Sequence, residues 1–375
     1  MRLLVSAGEA SGEMYGAQLI AALRRRMPDL ECFGVGGERM QAEGCDLVVN
    51  SRDLAVVGIT EIVSHLPRIY GEFRKLVRAM DERKPDAAVV IDSPAFNFKV
   101  AAQLHRRGVP AIYYVAPQLW AWRSGRVRLV RRYIRKALVI FPFEEQWYRA
   151  RGVDAEFVGH PLADVERPQI SREEFARQYS LDPAKIWIAL LPGSRRKELG
   201  MNLPAMAGAG RQFEPQYQFI LPVASTLNAG WVEARVRENG GRAILVHDTR
   251  AALLHSRAAV VASGTATVEA AMMGTPMVVI YRVSPLTWAL GRPLVHVQNF
   301  AMVNLIAGER VVPELIQADF TPAKVAAALR EVLPDGPARE KMIRDLARVR
   351  VRLKSGNDTR PAAERAADAV LRALQ

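Results

Sequence analysis

Residues 260–269 read VVASGTATVE, and this stretch indicates how the second half of the chain folds. Its apolar run is typical of a buried strand, and its small residues form a turn before a helical pattern from Thr267 to Met273. N–H groups at a helix start suit a phosphate, and Glu269 in the first helical turn suits a sugar hydroxyl. The stretch predicts a nucleotide or nucleotide-sugar site; a capped helix with a solvated Glu269 is the alternative.

The same alternation of apolar runs and helical patterns continues along the chain. The predicted strands of the first half cover residues 2–7, 31–35, 86–91, 111–115, 137–141 and 155–158, and those of the second half cover residues 186–191, 217–221, 243–246, 258–262 and 277–281. Strands that alternate with helices favour parallel sheets covered on both faces. The sequence therefore predicts an α/β protein of two doubly wound domains, facing each other across a cleft at the carboxyl ends of their strands.

Gly159-His160-Pro161 and the polar stretch after it mark the predicted junction between the domains. We expect a first domain over residues 1–165, a second over residues 166–345, and C-terminal helices over residues 346–375 that return to the first. His105 and His160 are interpreted as structural residues, because neither has a visible partner. No residues have the spacing of metal ligands.

Composition restricts the partners and the compartment. The 375 residues include 52 Lys and Arg against 39 Asp and Glu, and the net charge of +13 favours an anionic partner, either nucleic acid or a membrane. Two cysteines without metal spacing favour a cytoplasmic protein without structural disulfides. The start of the chain lacks a signal-peptide pattern, and no apolar run approaches the ~18 residues needed to cross a bilayer. We therefore expect a soluble or peripheral protein.

Two turns in the first half carry carboxylates. Residues 8–13 read GEASGE, in which Glu9 orients a sugar hydroxyl or Ser11 merely caps the next helix. Asp92 stands where an apolar strand meets Ser93 and Pro94, which is where a general base belongs at a cleft edge. An Asp-Ser pair before Pro is also an ordinary helix start, and that alternative stays open.

Two further patterns carry positive charge. Arg195 follows the first strand of the second half and suits a diphosphate leaving group, unless it is only a surface arginine. Two basic amphipathic segments of the first half suit an anionic membrane surface, or alternatively pack on the core with solvated outer faces. Their predicted acceptor-side or membrane-facing residues are Ile69, Phe73, Trp120, Trp122, Arg123, Arg126, Arg131 and Arg132.

Together these motifs resemble the lipid-A-disaccharide synthases over essentially the whole chain. The pieces that carry the resemblance are SAGEASGE at 6–13, MQAEGC at 40–45, IDSP at 91–94, YVAPQLWAWR at 114–123, GHP at 159–161, LLPGSR at 190–195, SGTATVE at 263–269 and NLIAG at 304–308. The resemblance implies a GT-B fold of two Rossmann-like domains. It also implies an inverting β-1,6 transfer from UDP-2,3-diacylglucosamine to 2,3-diacylglucosamine 1-phosphate (lipid X), which yields lipid A disaccharide 1-phosphate and UDP.

The resemblance also implies roles for single residues. Asp92 falls on the essential aspartate of the family, its base for the acceptor hydroxyl, with Glu9 as an assisting carboxylate. This chain has Ala95 where some relatives carry a second Asp. Arg195 falls on a phosphate-contacting arginine, and Glu269 on the acid that holds the donor ribose. The predicted donor site comprises Gly193, Ser194, Arg195, Ser263, Gly264, Thr265, Thr267, Glu269 and Asn304.

The resemblance further implies partners and leaves rivals. It implies no metal cofactor, no nucleic-acid partner, lipid substrates at the cytoplasmic face of the inner membrane, and a homodimer. One rival function is a UDP-sugar 2-epimerase of the same fold, which would not need the basic apolar surface. The other is a basic, non-catalytic nucleic-acid-binding protein, which leaves Asp92, Arg195 and Glu269 unexplained.

Overall fold

The computed structural model describes residues 1–54, 59–292, 299–354 and 358–375, without the side chains of 10, 59–66, 290 and 291. Contacts divide the chain into two compact units. The first unit contains Met1–Asp164 and Leu353–Gln375, and the second contains Val165–Arg352. The chain therefore passes from one unit to the other twice.

The first unit is built on a parallel sheet, with seven strands among its described residues. Strands β1 to β7 are Arg2–Ala7, Glu31–Gly36, Cys45–Asn50, Ala87–Ile91, Ala111–Tyr114, Lys136–Val139 and Ala155–Phe157. Helices α1 to α6 are Ala10–Arg26, Glu38–Ala42, Ile59–Arg83, Pro94–Arg106, Val127–Tyr133 and Pro142–Arg149. The strand order is β3-β2-β1-β4-β5-β6-β7.

The second unit repeats this plan, with six parallel strands among its described residues. Strands β8 to β13 are Ile186–Leu191, Tyr217–Pro222, Ile244–Val246, Ala258–Ala262, Met277–Tyr281 and Glu314–Ile316, in the order β10-β9-β8-β11-β12-β13. Helices α7 to α15 are Arg172–Tyr179, Arg196–Gly210, Ala229–Glu238, Thr249–His255, Thr265–Met273, Pro285–Gly291, Met302–Ala307, Pro322–Val332 and Pro337–Leu353. The last helix, α16, is Ala362–Leu374 and belongs to the first unit.

Burial explains why most strands are visible in the sequence. Every residue of β4 is buried, because helices cover both faces of a parallel sheet, so the strand reads as a continuous apolar run. The strands β3 and β13 were not predicted. The first is an edge strand with the exposed Asp46, and the second has only three residues, so neither has that pattern.

Both sheets place their first strand between the second and fourth strands of the unit. In the first unit β1 pairs with β2 and β4, and in the second unit β8 pairs with β9 and β11. The connections on either side of such a point leave in opposite directions, which opens a crevice at the carboxyl ends of the two central strands. Each unit therefore has its own predicted ligand position, after β1 and β4 and after β8 and β11.

The returning C-terminal segment is tied into the first unit by polar contacts. Arg26 on α1 contacts Asp368 on α16 at 2.6 Å. The N–H of His160 donates to the Leu353 carbonyl at 2.9 Å. The Nε of the buried Arg365 donates to the Val158 carbonyl at 2.8 Å. The motif at 159–161 thus receives the C-terminal segment.

Gly159 provides a test of this attachment. Its φ is +83°, and an added Cβ would overlap the Arg365 guanidinium. We expect Gly159→Ala to lower the free energy of unfolding by more than 2 kcal/mol, from both left-handed backbone and steric overlap. Gly108→Ala is the matched control, because Gly108 has φ +69° with open space around it, and should cost about 1 kcal/mol. Urea titrations of both variants measure this; equal costs would show that Arg365 gives way.

Candidate functional site

In the first unit, two turns approach each other after β1 and β4. An added Cβ on Gly8 would lie 2.6 Å from the Ser93 Oγ, so only glycine allows this approach. Asp92 and Ser93 are both left-handed, with φ values of +49° and +45°. Such conformations cost about 1–3 kcal/mol each in non-glycine residues and cluster at functional sites. We call residues 92–93 the Asp92 turn; its Asp92 is half-buried.

Asn97 holds the Asp92 turn in place from beneath. Its fully buried side chain donates from Nδ2 to the carbonyls of Asp92 at 2.7 Å and Ile91 at 2.9 Å. Its Oδ1 accepts from the Ser6 hydroxyl at 2.7 Å, which joins the ends of β1 and β4. The Tyr113 hydroxyl also donates to the Asp92 carbonyl at 2.7 Å. These bonds satisfy backbone groups that the left-handed turn takes out of the sheet.

Glu9 is exposed at the start of α1, where it is the N-cap residue without a side-chain capping bond. The helix thus begins one residue before Ser11, and the capping role that the sequence offered for Ser11 falls away. Glu13 instead supports the neighbouring helix, because its Oε1 accepts from the Arg39 N–H in α2 at 2.9 Å. Of the carboxylates in this motif, Glu9 is the one that faces solvent.

The segment after β5 lies at the same sheet edge and is held by α6. The Trp120 Nε1 donates to Glu144 Oε1 at 2.8 Å, and the Tyr148 hydroxyl donates to the Pro117 carbonyl. Trp122 is 46% exposed, and the Arg123 guanidinium lies 4.5 Å from the centre of its ring. Trp120 is therefore an anchor, and Trp122 with Arg123 forms the exposed tip.

Glu144 is a fully buried carboxyl that sequence reasoning missed. Burial raises its pKa to about 7, although hydrogen bonds from Trp120 and the Phe141 N–H oppose the shift. It is the third residue of a helix that starts with Pro142, a pattern that predicts a capping acid. The pattern could have identified the cap but not the bond to Trp120.

Glu144 should make stability fall as pH rises. The folded protein binds the proton of the Glu144 carboxyl more tightly than the unfolded chain does. The stabilisation from this proton is therefore complete below pH 4.5 and is lost as the pH rises through about 7. Relative to wild type, Glu144→Gln should gain roughly 3 kcal/mol of unfolding free energy between pH 4.5 and 8. Urea titrations across that range measure the trend. Glu145→Gln is the control, because it removes a carboxylate nearer the surface of the same helix. If both variants showed the same change of unfolding free energy with pH, the raised pKa of Glu144 would be contradicted.

The eight predicted membrane-facing residues differ in how exposed the structure shows them to be. Trp122, Arg123, Arg131 and Arg132 are exposed, and Ile69 and Arg126 are half-exposed. Phe73 instead packs edge-on against Phe96 with ring centres 5.8 Å apart, because this side of α3 rests on α4. Phe73 and Trp120 thus support the surface from within the unit rather than forming its outer part.

In the second unit, the turn after β8 presents Arg195 to solvent. Arg195 is the N-cap residue of α8, and its guanidinium lies 3.0 Å from Glu198 with 67% of the side chain exposed. Gly193 has φ +118°, and an added Cβ would lie 2.6 Å from the Glu198 carboxylate. The Ser194 carbonyl accepts from the Thr226 hydroxyl at 2.6 Å. An exposed ion pair of this kind is worth about 1 kcal/mol or less, so an anionic ligand can displace Glu198.

The turn after β11 leads into α11 without a side-chain cap. Gly264 has φ +150° with open space where a Cβ would stand, and Thr265 is exposed at the first helical position. Thr267 is buried, and its hydroxyl donates to the Gly264 carbonyl at 2.8 Å. Thr267 thus shapes the turn rather than facing a ligand. N–H groups at this uncapped helix start suit an anion.

Glu269 lies in the second turn of α11, not in the first as the sequence suggested, because the helix begins at Thr265. Its carboxylate is 3.7 Å from the Arg250 Nε. Burial raises the pKa of Glu269, and Arg250 opposes this rise. A carboxylate so placed accepts hydrogen bonds from hydroxyl groups while its charge remains balanced by Arg250.

Asn304 is fully buried and its amide is used inside the unit. Its Nδ2 donates to Glu314 at 2.7 Å, and its Oδ1 accepts from the N–H groups of Val311 and Val312. Glu314 also accepts from the N–H groups of Phe300 and Ala301, both at 2.9 Å. Asn304 therefore uses its amide to position the segment beside the turn of Ser263 and Gly264, which we call the Gly264 turn.

His105 and His160 both make contacts that are typical of structural residues. His160 is buried, its Nδ1 accepts from the Leu162 N–H at 3.1 Å, and burial lowers its pKa to about 3. The ring of His105 packs at a tilt against that of Tyr133, with ring centres 5.4 Å apart. Within the described residues there is no group of three His, Cys, Asp or Glu that could hold a metal ion. Of the described helices, none is both long and apolar enough to span a bilayer.

Solved structures share this architecture at low sequence identity. The UDP-GlcNAc 2-epimerase from Neisseria meningitidis has a TM-score of 0.69 and 12% identity, with 99% of this chain and 100% of that chain covered. The Acinetobacter baumannii MurG structure has a TM-score of 0.57 and 13% identity, with 99% of both chains covered. The calicheamicin glycosyltransferase CalG4 has a TM-score of 0.60 and 16% identity, with 100% and 98% covered. These likenesses confirm the predicted GT-B fold.

Sequence relatives are much closer. The lipid-A-disaccharide synthase of Koribacter versatilis (strain Ellin345) is 56% identical over 100% of this chain and 99% of its own length. That of Myxococcus xanthus (strain DK1622) is 43% identical over 100% and 97%. A family model described as lipid-A-disaccharide synthetase matches residues 3–370. The chain therefore belongs to the lipid-A-disaccharide synthetase family.

Proposed function

We propose that the chain is an inverting glycosyltransferase of lipid A biosynthesis. It transfers the sugar of UDP-2,3-diacylglucosamine to 2,3-diacylglucosamine 1-phosphate and forms the β-1,6-linked disaccharide 1-phosphate and UDP. The observation that carries this proposal is the Asp92 turn, where a carboxylate stands at the central crevice of the first sheet. A network of four hydrogen bonds, made by Ser6, Asn97 and Tyr113, maintains the left-handed conformation of this turn. Family membership supplies the reaction class.

The reaction needs one base and one leaving group. The acceptor 6-hydroxyl attacks the anomeric carbon of the donor from the side opposite UDP, the bond from that carbon to the phosphate oxygen breaks, and the configuration inverts. Asp92 takes the proton of the hydroxyl as the new bond forms. Glu9 is exposed after β1 and is the second candidate for this proton.

The second unit binds the donor in this proposal. Arg195 exchanges its weak pairing with Glu198 for the diphosphate and offsets the charge that develops as UDP leaves. The Gly264 turn and the start of α11 add N–H donors to the same phosphates. Glu269 accepts hydrogen bonds from the ribose hydroxyls. We propose that this charge compensation needs no metal ion.

Replacing Asp92 by Asn tests the base. Asn tolerates the left-handed conformation at least as well as Asp, so the turn should persist while the base is lost. We expect disaccharide formation to fall at least ~100-fold, the scale of general-base catalysis, with EDTA present throughout. The measurement is UDP release and product formation, and Glu9→Gln is the matched control with a much smaller loss.

The outcomes separate the alternatives. If Asp92→Asn keeps its activity, Asp92 is not the base, and Glu9 takes its place. If the wild-type protein forms no disaccharide but interconverts a UDP-sugar with its 2-epimer, the epimerase function replaces the synthase. If it binds nucleic acid with steep salt dependence and ignores UDP, the net charge serves that partner instead.

We also propose that the first unit docks on the cytoplasmic face of the inner membrane, where the acylated substrates lie. The tip at Trp122 and Arg123 supports this proposal, because exposed tryptophan and arginine suit the interface of an anionic bilayer. Arg126, Arg131 and Arg132 extend the positive charge along the same segment. The net charge of +13 also favours an anionic partner.

Vesicle binding tests this docking. We expect Arg123→Gln to weaken binding to vesicles of anionic phospholipid about fivefold, as one cation near such a surface contributes about 1 kcal/mol. Arg151→Gln is the matched control, because Arg151 also lies over a tryptophan in the first unit, 4.0 Å from the ring of Trp147, but outside the proposed surface. Co-sedimentation measures both; equal losses would contradict a localised docking surface.

A further inference from the structure

An exposed apolar segment follows β12 in the second unit. Leu286 on α12 is 70% exposed, and Ala289, three residues further along the same face, is also exposed. Residues 285–291 read PLTWALG, with no charged side chain. Exposed apolar surface of this kind marks a binding site more often than an isolated surface leucine does.

Aromatic side chains continue this surface towards the sheet. Trp288 packs on Phe300 with ring centres 5.9 Å apart, and Phe300 packs on Tyr281 with ring centres 5.5 Å apart. All three rings are only half-buried. We call Tyr281, Leu286, Trp288, Ala289 and Phe300 the α12 surface.

The α12 surface adjoins the Gly264 turn directly. The Ser263 hydroxyl donates to the Phe300 carbonyl at 2.6 Å, and the Ser263 N–H donates to the Ile280 carbonyl, one residue before Tyr281, at 2.8 Å. The Phe300 N–H donates to the buried Glu314 carboxylate at 2.9 Å. Phe300 is therefore fixed through both its N–H and its carbonyl, next to the proposed phosphate position.

We propose that the α12 surface binds an acyl chain of the donor, an inference that rests on the proposed function. The acyl groups of that donor are attached to the sugar that the diphosphate carries, so they begin beside the phosphates. A fixed aromatic surface next to the Gly264 turn gives such a chain apolar contact that UDP alone cannot use. This surface would make the second unit select acylated donors over simple UDP-sugars.

Charge supports a hydrocarbon occupant. Arg292 is exposed at the C-cap of α12, one residue after the helix ends. Arg282, the other described cation of this connection, is turned inward, where it donates to the carbonyls of Met201, Gln317 and Phe320 and lies 4.5 Å from the Phe320 ring. Its charge is therefore directed away from the α12 surface. The five side chains of the α12 surface are themselves uncharged, which suits an acyl chain, whereas an anionic headgroup would favour the end of α12 at Arg292.

Leu286→Gln tests the proposal, since an exposed leucine can become polar without loss of folding. We measure the Kd of UDP and of UDP-2,3-diacylglucosamine for the purified full chain in detergent micelles. The variant should bind the acylated donor about tenfold more weakly, the effect of losing one aliphatic contact, with the Kd of UDP within twofold of wild type. Val351→Gln is the matched control, an apolar residue of the same unit that is 73% exposed on α15, and should change neither value.

Other outcomes overturn the proposal. An equal loss for UDP and acylated donor, or no loss for either, shows that the α12 surface does not contact the acyl chain. If Leu286→Gln instead reduces flotation with phospholipid vesicles while donor binding is unchanged, the occupant is the bilayer. Wild-type turnover is measured in the same preparation: a preference for the acylated donor without disaccharide formation would refute the proposed reaction and not this surface.

Discussion

Each sheet of this protein has one position where the chain leaves two neighbouring strands in opposite directions. The two connections diverge and leave the carboxyl ends of those strands uncovered, so the backbone groups there are open to a ligand or to a turn that binds a ligand. In the first unit the position is filled by the Asp92 turn and by Glu9, and in the second by Arg195 and the Gly264 turn. The acid-bearing and cation-bearing motifs are thus placed by topology before any side chain is considered.

The Asp92 turn shows what this placement requires energetically. Two adjacent left-handed residues are unfavourable unless the groups around them fix the backbone. Asn97 and Tyr113 do so with hydrogen bonds that are shielded from water, where such bonds matter most. The carboxylate of Asp92 is therefore held by a rigid backbone and not by a flexible loop, which suits a group that must meet a hydroxyl in one orientation.

Local patterns predicted the strands and turns well because burial on both faces leaves uninterrupted apolar runs. The same patterns could not reveal what each motif residue touches. Asn304 and Thr267 carry the polar groups expected of ligand contacts, yet both use these groups in hydrogen bonds within the protein. Glu144, 24 residues beyond Trp120, meets it only because α6 packs over the segment after β5. Such partners depend on tertiary packing, which residue spacing does not encode.

The attachment of the C-terminal segment has a consequence for biosynthesis. Residues 353–375 are translated after the entire second unit. The second unit is therefore complete in the nascent chain while the first still lacks α16. Until then Arg26 on α1 lacks its partners Glu364 and Asp368, and the carbonyl of Val158 lacks the guanidinium of Arg365. The second unit is therefore able to fold before α16 is synthesised, and the first is completed only once α16 has emerged. A nascent chain stalled before α16 would expose the unfinished first unit to chaperones and proteases.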